Sequence, residues 1–83
     1  MTGQEIYNKL IEQMNIYVNA FESGISEVSE DHAKSRKKTY HDSIVVIQDT
    51  AKFLCPEYQS EVNAHANKCR IAFDEIFERY YEL

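Results

Sequence analysis

Two glycines and one proline are all that punctuate this 83-residue chain, and tryptophan is absent. An all-β fold needs turn-forming residues at the end of every short strand, so this scarcity leaves helices as the economical reading. Long apolar runs are missing too. None approaches the ~20 residues of a membrane span, and the N-terminus has no basic region leading into an apolar stretch and a cleavage site. The expectation is a cytoplasmic protein without membrane contact. Two cysteines are too few for a disulfide framework, in keeping with a reducing compartment.

Basic residues are outnumbered, nine Lys and Arg against fourteen Asp and Glu, for a net charge of −5. Direct binding to nucleic acid needs phosphates neutralised by Lys and Arg, so that class is disfavoured. Catalytic signatures are also lacking. There is no recognisable nucleophile with its base, no close carboxylate pair and no phosphate-cradling glycine loop. The chain reads as a non-enzyme without a cofactor.

What is present is helical periodicity. Thr2-Gly3-Gln4-Glu5 has capping-box spacing, with Thr2 accepting from a first-turn amide and Glu5 reaching back to the Thr2 N–H. Behind it Tyr7, Met14 and Phe21 recur every seven residues, with Leu10, Ile11, Tyr17 and Val18 beside them. Gly24 suits a left-handed helix stop, although Ile25 and Val28 continue the pattern. Ser29 caps a second helix, with Ser26 competing for that role. Its seam is Ala33, Lys37, Tyr40, Ile44, Ile47, Ala51 and Leu54, widened by Val45, Val46 and Phe53. Cys55-Pro56 marks the next boundary. In the third helix Tyr58, Val62, His65, Cys69, Ala72 and Ile76 step by four and three, flanked by Ala66, Phe73, Phe77 and Tyr80.

Helices over about 3–23, 29–54 and 56–82 joined by very short connections must run up, down and up. The predicted fold is all-α: a single domain forming an elongated antiparallel three-helix bundle, about 30 to 40 Å long at ~1.5 Å per residue, with dimerisation of such a bundle a natural extension.

Three groups of residues are candidates for function. His65 and Cys69 lie four apart on one helical face, a spacing that offers two ligands to a metal. Cys55 cannot join them, because fourteen residues of helix separate it from Cys69 by about 21 Å, which also excludes a disulfide within the chain. His41 can, since a fold-back at Cys55 sets it at the height of Cys69. His41, His65 and Cys69 form an incomplete metal or redox set, against the plainer reading that they simply pack.

Lys34, Arg36, Lys37 and Lys38 form a basic cluster, a candidate patch for phosphate, nucleic acid or an acidic partner. The topology instead sets it beside Glu22 and Glu27 of the first helix and Asp74, Glu75, Glu78 and Glu82 of the third, which should neutralise it. The segments 1–28, 29–54 and 55–83 carry −3, +1 and −3 by count of their charged residues. Acidic outer faces admit a second reading, an inhibitor that imitates a nucleic-acid backbone toward a DNA-binding protein.

Six tyrosines are the third group. Tyr80 and Tyr81 cannot both point inward, since adjacent helical residues lie about 100° apart. Tyrosine favours interfaces because it buries a ring and keeps a polar handle. Tyr17, or else Ile16 beside it, with Tyr58, Glu78, Tyr80 and Tyr81, are expected to form an acidic, tyrosine-bearing surface that docks on another protein or on a second copy of the chain. The leading expectation is a small regulator, adaptor or inhibitor.

Overall fold

The computed structural model describes residues 1–81 and confirms the predicted architecture. α1 spans Gly3–Gly24, α2 Glu30–Leu54 and α3 Gln59–Tyr81. One 3₁₀ turn, Ile25–Glu27, joins α1 to α2, and another, Pro56–Tyr58, leads into α3. The bundle measures 42 × 18 × 15 Å, and no strand occurs among the described residues. The end expected for the third helix at residue 82 lies outside the described residues.

The helix starts follow the capping rules. Thr2 Oγ1 accepts from the Glu5 amide at 3.2 Å, and Ser29 Oγ accepts from the His32 amide at 3.2 Å. The reciprocal half of the expected capping box is not formed. Glu5 Oε1 instead accepts the Thr2 hydroxyl at 3.1 Å.

Gly24 departs from expectation as well. Its φ is −93°, so the helix end needs no left-handed residue. Space is what it provides: a Cβ here would sit 3.0 Å from Nη1 of Arg36, whose guanidinium lies against the end of α1. Pro56 opens a 3₁₀ turn rather than the α-helix itself, and the preceding Cys55 leaves helical geometry at φ −147°, ψ 61°.

The core is one cluster shared by the three helices, with Met14 and Phe21 from α1, Ala33, Ile44, Ile47 and Ala51 from α2, and Val62, Ala66, Cys69, Phe73, Ile76 and Phe77 from α3. Its centre is aromatic. Tyr40 stacks on Phe73 at 5.5 Å with an interplanar angle of 14°, while Phe21 meets both edge-on. Of the heptad positions chosen for α2, Ala33, Ile44, Ile47 and Ala51 are buried and Lys37 and Tyr40 half-buried. Leu54 is exposed, and Val45, Val46 and Phe53 do not widen the buried stripe.

Candidate docking surface

On α3, two faces look at two different partners. Residues 70, 73, 74 and 77 meet α2: Arg70 donates to Gln48, Phe73 stacks on Tyr40, Asp74 pairs with Lys37, and Phe77 lies 4.7 Å beneath the Lys37 ammonium. Residues 65, 68, 69 and 72 instead line a cleft of about 360 Å³ against Asn15, Val18 and Asn19 of α1. The helical period produces this split.

That split separates the expected metal set. His41 sits on the α2 side, its ring 5.6 Å from Phe73 and its Nε2 3.4 Å from Asp74 Oδ1, near enough for electrostatic attraction but not aligned for a hydrogen bond. His65 sits on the α1 side, bonded to Asn15 Oδ1 at 2.7 Å. The fold-back at Cys55 does set His41 against α3, but beside Phe73 and Asp74, about one turn beyond Cys69, and Cys69 turns toward α1. No group of three His, Cys, Asp or Glu among the described residues is placed to hold a metal.

His65 and Cys69 do share one face, as their spacing requires. Burial, helped by Lys68, lowers the His65 pKa below the ordinary histidine value. Burial raises the Cys69 thiol above its ordinary value, with Arg70 opposing. Both effects hold the groups neutral, which leaves the His65 imidazole in its ligating form but keeps the Cys69 thiol from the thiolate that a nucleophile or metal ligand needs. Cys55 and Cys69 are free and buried.

Of the basic cluster, only Lys37 is answered as expected, by Asp74 at 3.4 Å. Lys38 pairs within its own helix, with Asp42 at 3.2 Å. Arg36 donates to the Tyr40 hydroxyl at 3.4 Å, and no carboxylate pairs with it among the described residues. Lys34 is exposed. Glu82, expected to help neutralise the cluster, lies outside the described residues.

Most of the tyrosines expected at an interface do structural work instead. The Tyr81 hydroxyl donates to Val28 O at 2.9 Å and Ile25 O at 3.2 Å, tying the α1–α2 connection to the end of α3. Tyr58 stacks on Tyr7 at 4.7 Å, and Tyr17 packs against Tyr40 at 5.7 Å. Tyr80 and Glu78 remain exposed, and so does Ile16, the alternative weighed against Tyr17. Tyr80 lines a cleft of about 280 Å³ floored by Ile25 and Ile76, with Glu22 and Arg79 on its walls.

The larger apolar surface is on α2, where sequence reasoning placed core. Phe53 is 80% exposed, Val46 62% and Leu54 56%. Val46, Thr50 and Phe53 follow one another at steps of four and three, so they share a helix face turned away from Ile44, Ile47 and Ala51. A signal for this did exist. Ile44, Ile47 and Ala51 already fill a stripe, and residues one or two positions on are rotated 100° or 200° from it.

The groove between α2 and α3 is bridged by polar contacts. Gln48 donates to Asn63 at 2.9 Å and accepts from Arg70, while Gln59 donates to Asn63 at 2.9 Å and to the Gln48 carbonyl at 3.3 Å. No described helix is long and apolar enough to cross a membrane. Comparison with protein-family models, curated proteins and solved structures finds no match to this chain.

Proposed function

We propose that this protein is a non-enzymatic interaction module that docks on another protein through the outer face of α2, from Val46 to Phe53. One observation carries the reading: Phe53 and Val46 are each more than half exposed on a helix whose opposite side already supplies the core, with Leu54 exposed at the end of the same helix. Apolar side chains gathered on one exposed face gain free energy by leaving water, roughly 25 cal/mol per Å² buried, and such faces mark interaction sites. The docking face is therefore apolar, and the acidic, tyrosine-bearing end contributes Tyr80 and Glu78 at most. Regulator, adaptor and inhibitor are all compatible roles, and a second copy of the chain is one form the partner can take. A cytoplasmic setting suits the two free thiols.

The test places a photo-crosslinking residue at position 53, 46 or 80 and compares the products in native extract. Crosslinks to one protein from 53 and 46, lost on competition by wild type but not by a Phe53→Asp, Val46→Asp variant, are the expected result. Light scattering on the purified protein identifies the case in which that protein is a second copy. Crosslinking confined to position 80 would return the interface to the tyrosine-bearing end and refute this assignment.

A further inference from the structure

His32, Ser35, Arg36, Thr39 and Tyr40 fall at i, i+3, i+4, i+7 and i+8, one face of a helix. In the bundle they line a cleft of about 340 Å³ on α2 with no carboxylate in its walls. In a chain with fourteen acidic residues to nine basic ones, such a cleft stands apart.

Its centre is Arg36, half-buried and without a carboxylate partner among the described residues. Burying a guanidinium is costly unless its charge is answered. Here the geometry makes room for the group without answering it. Gly24 leaves the space that a Cβ would take, 3.0 Å from Nη1 and 3.3 Å from Nη2. Nη2 donates to the Tyr40 hydroxyl, and the Tyr40 ring is fixed against Phe73 and Phe21 in the core. The guanidinium is held in place, and most of its five N–H donors remain unspent.

Two further residues with side chains able to donate, His32 and Ser35, line the same cleft. Thr39 is already committed, its hydroxyl donating to the Ser35 carbonyl at 3.1 Å. A forked guanidinium with two neighbouring donors matches a compact oxyanion with several oxygens better than a two-oxygen carboxylate. We propose that this cleft binds a phosphate monoester or free phosphate, gripped by Arg36 and supported by His32 and Ser35. The site uses the side chains of His32 in the first turn of α2 and of Ser35 and Arg36 in the second, and not the free amides of the first turn.

An NMR titration of isotopically labelled protein tests this, at constant ionic strength, with inorganic phosphate in one arm and glycerol 3-phosphate in the other. Chloride serves as the control. Saturable shifts at residues 32–40 with a Kd on the order of 1 mM or tighter are expected, and the tighter arm identifies the free or esterified form. Arg36→Gln should weaken binding at least tenfold, and Gly24→Ala should weaken it by displacing the guanidinium. Arg36→Lys keeps the charge but not the fork, so it should stay folded and bind about tenfold more weakly.

Shifts that chloride reproduces, or equal phosphate binding by Arg36→Gln or Arg36→Lys, would overturn the proposal. So would a fall in melting temperature on Arg36→Gln with no response of the wild type to phosphate. In that case the guanidinium serves only as a cation at the negative end of the α1 dipole.

Discussion

Replacing Tyr81 with phenylalanine separates a structural tyrosine from an interface one. The change removes a single O–H, shared between the carbonyls of Val28 and Ile25 at 2.9 and 3.2 Å. One proton cannot serve two acceptors fully, so the pair counts as one hydrogen bond, a net 0.5–1.5 kcal/mol or about 1. Val28 is half-buried but Ile25 is buried, so any stranding of the Ile25 carbonyl adds to that figure and about 1 kcal/mol is the smaller expected loss. The ring stays packed on Phe77 at 5.0 Å. For a domain of this size about 1 kcal/mol corresponds to a fall of roughly 4–8 °C in melting temperature.

Circular dichroism reads that fall, and faster amide exchange around residues 25–29 should accompany it. Alkaline pH supplies an internal check. Burial first, then Tyr80 and Glu30, raise the phenol pKa above its ordinary value. The unfolded chain therefore loses this proton first, so the contribution is whole below about pH 10 and is lost as pH rises toward the raised value. The gap between wild type and Tyr81→Phe should be steady at neutral pH and close above about pH 10. Equal melting temperatures at neutral pH, with weakened binding to a partner, would show Tyr81 to be a docking residue and defeat this account.

Three other perturbations probe the fold and the sites. Gln48→Leu should cost about 0.5–1.5 kcal/mol in urea unfolding, because Arg70 keeps only Asn67 as acceptor and Asn63 only Gln59 as donor while both stay half-buried; unchanged stability would mean water replaces the lost bonds. His65 has a lowered pKa, so the unfolded chain takes up its proton first and stability should decline as pH falls below about 6.5, with His65→Gln flattening that decline. Native Cys55 and Cys69, at 0% and 3% exposure, should react with a thiol reagent only after denaturation, and fast labelling of either in the native protein would contradict its burial.

Most of the fold could be read from the sequence because it rests on local rules. Thr2 and Ser29 cap where expected, and Cys55-Pro56 forces a break whatever surrounds it. Seven-residue rows then leave an up-down-up bundle as the compact solution. The misreadings lie where two elements remote in sequence meet. His41 does meet α3, but at Phe73 and Asp74, and the face Cys69 presents depends on how α3 is rotated between its two neighbours, which spacing alone does not fix. Tyr81 lies 53 residues from the carbonyl it bonds most closely. Nothing in the local pattern around Tyr80-Tyr81 distinguishes a hydroxyl that reaches a connection from one that reaches solvent.

The apolar surplus of α2 has a different origin. A helix packed against two others in a bundle offers the core one stripe, and Ala33, Ile44, Ile47 and Ala51 occupy it. Every further large apolar residue on that helix must flank the stripe or oppose it. Val45 sits beside it at 45% exposure, whereas Val46 and Phe53 lie across the helix axis from it. Widening the stripe to include them would require a fourth helix, and this chain has three. The apolar residues left over thus count the packing that the molecule cannot do for itself. Their clustering toward the C-terminal half of α2, away from the Arg36 cleft, assigns the two ends of one helix to two kinds of contact. Phe53→Asp should therefore leave phosphate binding unchanged, and Arg36→Gln should leave crosslinking from position 53 unchanged. Loss of both functions in either variant would show that a single surface had been divided wrongly into two.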